Sequence, residues 1–431
     1  MRSSRGAVCR GGLAGKPPAT CHCCRAAKRV RNHSKHHDED CALPTVPARI
    51  LPTIVISQFA ATSLWFAGNA VMPDLQRSAG LPASAVGDIT IAVQLGFIAG
   101  TLVFAWLAIA DRYSPRIIFF LSTLAGSAAN AATLAGGGEL LPLLAARFAT
   151  GFFLAGMYPV GMKIASGWYD RDLGLALGWL VGALVLGTAL PHLIRGMGGD
   201  LPWQGVILSV SAVSIAGGLA MLFLVPDGPH LRAGAKFDPA AFATIFRSAE
   251  FRASAFGYFG HMWELYAFYA FLPVLLAARL GSDGATVSMW SFAAIATGFL
   301  GCMAGGYLSR GIGSARVAYM QLSASGLCCL VSPLVFLAPL PVFLAFLLFW
   351  GVVVAGDSPQ FSTLNARFAP PRLVGSALTI ANCIGFSITI VSIALLAWLI
   401  ETAGPQYVFL LLVPGPVLGL AALRRLAAKP A

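Results

Sequence analysis

Charge is scarce in this chain. Asp, Glu, Lys and Arg make up 11% of 431 residues, where a soluble domain carries about 25%. Acid is scarcer still, with 17 Asp and Glu against 29 Lys and Arg. A chain that is 57% hydrophobic, with a mean hydropathy of +0.77, has too little polar surface for a soluble fold. Reactive motifs are missing as well. There is no G-x-S-x-G elbow, no H-E-x-x-H and no suitable Asp pair, so no enzyme is expected. No nucleotide-binding motif is present, so neither direct use of ATP nor a cofactor is expected. No apolar stretch follows the basic N-terminus, which excludes a secretory signal. Cys302, Cys328, Cys329 and Cys383 fall in apolar runs and read as small core residues rather than a disulfide framework.

What the chain has is long apolar runs. About 20 apolar residues span a bilayer as a helix. Twelve such runs are present, at 51–71, 87–109, 116–136, 141–163, 173–194, 203–225, 253–276, 285–308, 316–337, 341–364, 375–399 and 406–423. The fold class is therefore an all-α membrane protein of twelve transmembrane helices. Basic residues set the orientation. With the N-terminus inside, the inner segments hold every basic residue of the tail, Arg112, Arg116, Lys163, Arg171 and the Arg and Lys of 226–252. They also hold Arg310, Arg316, Arg367, Arg372, Arg424, Arg425 and Lys429, and the outer loops hold only Arg77, Arg195 and Arg279. Both ends are thus expected to be cytoplasmic. The net charge of +12 points to basic inner loops, not to nucleic acid.

Five segments follow. Residues 1–48 form a basic tail rich in Cys and His, 49–225 a first bundle of six helices, 226–252 a central inner loop, 253–425 a second bundle, and 426–431 a short tail. The first tail carries C-x-C-C at Cys21, Cys23 and Cys24, and H-x-x-H-H at His33, His36 and His37. A metal-binding arm is one reading, but the spacing fits no zinc-finger pattern. A disordered extension, or upstream sequence ahead of a true start at Val46, fits the composition better, and no metal site is expected. Within the central loop, FDPAAFATIFRSAEFR is amphipathic and is expected to lie along the inner interface.

The halves are related. At an offset of 200, Phe59, Ala67, Ala70, Pro73 and Leu75 fall on Phe259, Ala267, Ala270, Pro273 and Leu275. GFFLAGMYP from Gly151 falls on GVVVAGDSP from Gly351 in the same register. In duplicated transporters the site lies between the repeats, near the midplane. The register fails where chemistry appears. His261 faces Ala61, Glu264 faces Leu64 and Asp357 faces Met157.

Those exceptions mark the candidate centre. His261 and Glu264 stand in GYFGHMWELYAFYAF at i, i+3, on one helix face. An ionisable group at bilayer depth costs about 2.5–3.5 kcal/mol on insertion scales, so it is retained where it works or is paired. Burial disfavours a carboxylate's charged form, which suits Glu264 and Asp357 to carry protons, with His261 sharing them. Arg147 lies inside the fourth run and needs an acid, a carbonyl or an anion. Gln58, Trp65 and Asn69 share one face of the first run, and with Tyr258, Trp263, Gln360 and Asn382 they are candidate cavity residues. Gly96 and Gly100 provide for close helix contact.

The turn AWLAIADRYSPR resembles that of the major facilitator superfamily, G-x-L-A-D-R-x-G-R-R. Ala110, Asp111, Arg112 and Arg116 match and Ile109 is conservative, while Leu107, Ser114 and Pro115 depart from it. The resemblance covers residues 47–425 and implies the superfamily's fold and a transport function. It implies a cytoplasmic gate at Asp111, Arg112 and Arg116, with Arg316 at the equivalent place in the second half. Arg147 and Gly151 resemble the R-x-x-x-G motif of the fourth helix, associated with proton transfer or substrate binding. Of the antiporter motif in the fifth helix only Gly178 and Gly187 match, and Pro191 departs. The surroundings of Asn69 and Pro73 also resemble members grouped with nitrate, nitrite and cyanate porters, but those porters' substrate arginines have no counterpart here.

The expected function is a secondary transporter moving a small organic solute by alternating access, coupled to protons. It would act as a monomer in the lipid bilayer of a bacterial-type inner membrane. An uncoupled facilitator, or a receptor on a transporter frame, are the alternatives. The charge pattern makes one direct prediction. A cysteine placed at Gly199 should react with a membrane-impermeant maleimide on intact cells, and one at Asp227 only after permeabilisation. The opposite pattern would invert the topology.

Overall fold

The structure, a computed structural model, describes residues 46–136, 139–169, 173–199, 201–231, 237–281 and 284–429. The Cys- and His-rich tail up to Thr45 lies outside the described residues, as do Arg171, Arg232 and Lys236.

Among the described residues there is no strand, and twelve helices are long and apolar enough to cross a membrane. They are α1 (Ile50–Ala79), α2 (Ala85–Trp106), α3 (Pro115–Gly136), α4 (Leu140–Trp168), α5 (Leu175–Met197) and α6 (Trp203–Leu224). The second six are α7 (Ala249–Leu280), α8 (Gly284–Ile312), α9 (Ser314–Phe336), α10 (Leu340–Phe368), α11 (Pro371–Ala403) and α12 (Val408–Ala427). Each expected run falls on one of these helices. Several helices outrun their apolar stretch: α1 continues to Ala79 before Gly80 turns it off at φ +66°. Hydropathy marks only the oily section, whereas the hydrogen-bond ladder persists into the interface, because open backbone groups near hydrocarbon are costly. Large apolar side chains such as Leu141, Phe223 and Leu334 are exposed, as fits a molecule whose solvent is lipid.

The amphipathic stretch before α7 is built of short pieces. It is not one helix. A short turn of helix covers Ala241–Ile245, burying Ala241 and Ile245. The chain then breaks at Ser248, whose hydroxyl accepts from the Phe251 amide at 3.2 Å and caps α7. A serine at that place satisfies an amide the new helix would otherwise leave open.

Glycines bring the helices together. In α2, a Cβ on Gly100 would overlap the Phe152 carbonyl of α4, and one on Gly151 of α4 would overlap the Val93 carbonyl. In α8 and α10 the same pattern recurs, with Gly301 against the Val352 carbonyl and Gly351 against that of Ala294. The two sets are related by the sequence offset of 200 or 201. Between the first six and last six spans, the heaviest packing joins α5 to α8 and α2 to α11.

Besides α12, which turns at Val413 between a 3-10 segment and an α-helix, three spans are interrupted. α1 opens at Ser63–Phe66, α4 at Ala155–Met157 and α10 at Asp357. The last two occupy equivalent places in the repeat. Each is followed by a proline, Pro159 or Pro359, at the start of the next helical segment, where its missing N–H does no harm.

The glycine contacts are directly testable. Gly100→Ala and Gly301→Ala should each destabilise the purified protein by about 1–3 kcal/mol, as overpacking does. Gly178→Ala, with open space around its Cβ, should leave the unfolding midpoint in detergent unchanged. Equal midpoints for all three would mean that the helices do not approach so closely.

Candidate functional site

The centre forms where α7 passes the break in α10. His261 and Asp357 are both fully buried, and Nδ1 of His261 lies 2.8 Å from Oδ1 of Asp357. The approach is off the line of a hydrogen bond, so both atoms still lack a partner of good geometry, as does Oδ2. The Ser358 amide, opening the second part of α10, stands near the same carboxylate. On its other side the imidazole meets Ser358, with Nε2 2.7 Å from Oγ. Ser358 is only half-buried. A hydroxyl, an imidazole and a carboxylate thus stand in line, leading inward from a partly accessible wall.

Glu264 turns the other way, toward α9. Cys329 donates to its Oε2 at 3.3 Å. Ser325, which takes a hydrogen bond from the Trp350 indole at 3.3 Å, stands beside the same group. Oε1 has no partner. Glu264 is fully buried and lies within electrostatic range of Asp357. Spacing alone groups His261 with Glu264, whereas the fold makes Asp357 the closer partner of His261.

Around this cluster the wall is phenolic and aromatic. Tyr258 donates to Oδ1 of Asn382 in α11 at 3.2 Å, and Gln360 is buried just past the break. Trp65 of α1 stacks on Tyr266 at 5.5 Å and on Phe386 of α11 at 5.6 Å. Phe97 of α2 meets Phe386 at 4.5 Å. The rings therefore join the first six spans to the last six. Tyr269 is within electrostatic range of Asp357, and its hydroxyl is unpartnered, as is the Trp65 indole nitrogen. Of these rings, sequence reasoning found Trp65 and Tyr258 but missed Tyr266, Tyr269, Phe97 and Phe386. In a chain this apolar an extra ring carries no signal of its own. The repeat could have helped, since Trp65 and Phe66 align with Leu265 and Tyr266.

Among the described residues Arg147 meets no carboxylate. It is fully buried, and its guanidinium donates to the Leu64 carbonyl at 2.9 Å, the Trp65 carbonyl at 2.6 Å and Oδ1 of Asn130 at 2.7 Å. Leu64 and Trp65 lie in the break of α1. Arg147 thus supplies donors to carbonyls that an intact helix would have satisfied itself. Gly68 keeps room for it, as a Cβ there would stand 3.2 Å from Nε.

The other candidates are dispersed. Asn69 donates to Thr90 of α2 at 2.8 Å. Gln58 lies against Gly161, its amide unpartnered. The Trp263 indole donates to the Leu411 carbonyl at 3.0 Å and faces α12. At the turn between α2 and α3, Asp111 pairs with Lys163 of α4, which also donates to the Ala110 carbonyl at 2.6 Å. Arg112 is exposed. Arg116 lies 3.9 Å from Asp227 and donates to the Leu222 carbonyl at 3.3 Å. Arg316 donates to the carbonyls of Ala427 and Lys429, both at 3.2 Å. These contacts stay within one six-span set or its loop. Lys163 was legible as the only lysine between Lys35 and Lys236, but its partner was not. The turn is tight enough to hold Ala108 at φ +49°, the only non-glycine residue with positive φ among those described.

Comparison with known proteins adds the following. The family model of the Major Facilitator Superfamily matches residues 54–393. The crystal structure of the human organic anion transporter MFSD10 (TETRAN) is similar, with a TM-score of 0.66 and 16% identity over 87% of this chain and 99% of that one. At that identity the likeness is one of fold. No curated protein matches the sequence.

Arg147 gives the prediction of this section. Arg147→Met would leave the carbonyls of the α1 break without donors, a loss of about 3 kcal/mol. Thermal unfolding in detergent should show it as a clear drop, larger than that of Asn130→Ala. An unchanged midpoint would mean that the break holds itself.

Proposed function

The chain belongs to the major facilitator superfamily, a family of membrane transporters, and on that premise we propose that it is a proton-coupled secondary transporter of a small organic solute. The two six-span halves rock about a site between them, as in other duplicated transporters. The observation that carries the reading is the buried group of Glu264, Asp357 and His261, with carboxylate oxygens left open. In a low-dielectric interior an open carboxylate favours its neutral form. Protonation is the simplest way to close it. Ser358 and His261 form the path by which a proton reaches Asp357, and Glu264 is the second acceptor. Arg147 keeps α1 open at its break and so shapes the wall rather than carrying charge. Asp111, Lys163 and Arg116 fix the inner ends of the first half.

The same reading places both chain ends in the cytoplasm of a bacterial-type cell and has the protein act as a monomer, with no nucleic acid among its partners. The likeness to nitrate, nitrite and cyanate porters is not extended to substrate.

The test is substrate-induced proton movement in proteoliposomes, followed with a pH-sensitive dye and a pooled solute library. A proton signal is expected with wild type and is expected to vanish with Glu264→Gln. Solute flux that ignores the pH gradient and survives the substitution would instead establish a facilitator, and binding without flux a receptor.

A further inference from the structure

We propose that the transported solute is an organic cation with an aromatic body, exchanged for the protons held by Asp357 and Glu264. This rests on the transporter reading above and names its substrate class.

The charge inventory at the core of the membrane carries the argument. Among the described residues the fully buried Asp, Glu, Lys and Arg are Arg147, Glu264 and Asp357. Arg147 already donates to three oxygens on α1 and α3. An arriving anion would have to displace it from the break in α1. Lys163 is tied to Asp111 at the end of α4. His192 is buried in α5 with Nε2 unpartnered, but a neutral imidazole offers one N–H and no fixed charge. What remains open is acidic. Asp357 faces His261 of α7 and, at longer range, Glu264 and Tyr269. Glu264 faces Cys329 and Ser325 of α9. Only Asp357 has a basic partner, the His261 imidazole, so at least one positive charge is missing whenever both carboxylates are ionised. Protons can supply it. So can a cation, and a carboxylate that takes the cation gives up its proton, which couples the two as an exchange.

The wall fits the cation's body. A cation is attracted to an aromatic face within about 6 Å of the ring centroid. Trp65, Tyr266, Phe97 and Phe386 already stand 4.5–5.6 Å from one another. They come from both six-span sets, so parting the sets opens their faces. Tyr269 connects this wall to Asp357. Its open hydroxyl and the open Trp65 N–H add hydrogen-bonding capacity for a polar edge on the ligand.

The experiment loads proteoliposomes with acidic buffer and dilutes them into neutral buffer containing 1-methyl-4-phenylpyridinium. Its permanent charge keeps it from following a pH gradient through the bilayer as a neutral amine would. Benzenesulfonate is the anionic control. Uptake of the pyridinium, abolished by collapsing the gradient and by Asp357→Asn or Glu264→Gln, is the expected result. Trp65→Ala should raise the half-saturation concentration roughly tenfold, the scale of one desolvated cation–π contact, and Trp65→Phe should restore most of it. Each variant is first required to elute as one monodisperse species. Proton-driven flux of benzenesulfonate without pyridinium would overturn the cation assignment and leave proton coupling standing. Pyridinium flux indifferent to pH and to both acids would overturn the exchange. Failure to move the pyridinium, in a preparation that couples some other solute to protons, would also overturn it.

Discussion

A backbone N–H or C=O inside a bilayer must find a partner within the protein, and the architecture follows from that constraint. It explains why the chain is helical throughout its described spans and why those helices run past their apolar stretches. It also means that a helix can open at membrane depth only where something else takes over its hydrogen bonds. In α1 that something is Arg147. Its planar fork can serve several carbonyls at once, which a lysine's point charge cannot do as well. A residue that looks like a charge carrier in the sequence donates, in the structure, to the open carbonyls of this break. The consequence reaches the site, because the braced turn is the one that carries Trp65 across to α7 and α11.

The second constraint is symmetry. Glycines at related positions press α2 to α4 and α8 to α10 through the same backbone contacts. The breaks in α4 and α10 fall at related positions as well. On that shared frame one half has Met157 at the break and the other Asp357. Sequence comparison between the halves therefore does two jobs. Agreement points to packing, and disagreement points to chemistry. His261, Glu264 and Asp357 all sit where the halves disagree, and the fold gathers all three.

This is also why legibility was uneven. Span number and approximate place follow from length and apolarity, and glycine spacing follows from the need for close approach. Both are properties of one helix. Partners are not. Nothing in TSLWFAG signals a break, since it has no proline and its one glycine follows the turn. The break exists because Arg147, some eighty residues away, stabilises it. Lys163 and Asp111 meet because α4 is rotated to bring them together, and rotation about a helix axis is set by packing. The direction of Glu264, toward α9 rather than His261, is likewise a matter of which neighbour fills which face. The polar groups of Trp263 and Asn69 are engaged in helix–helix contacts, with the Leu411 carbonyl and with Thr90, which their place in the sequence does not reveal.

The arrangement of acids and rings bears on how coupling could be enforced without a separate latch. In this conformation the rings of the two halves pack on one another, and both carboxylates are fully buried. An ionised carboxylate sealed at bilayer depth costs about 2.5–3.5 kcal/mol, comparable to what a few aromatic contacts return at about 0.5–1.5 kcal/mol each. On the exchange proposed above, closure with an empty, ionised site would forfeit what the rings gain. Closure over a protonated site, or over one holding a cation, would not. The packing energy of the aromatic wall is then available only to loaded forms, and passage between the two open states requires a proton or a cation on board. The contacts at Asp111, Arg116 and Arg316 stay within their own halves, so they would keep each half rigid while the choice between loaded and empty is made at the centre.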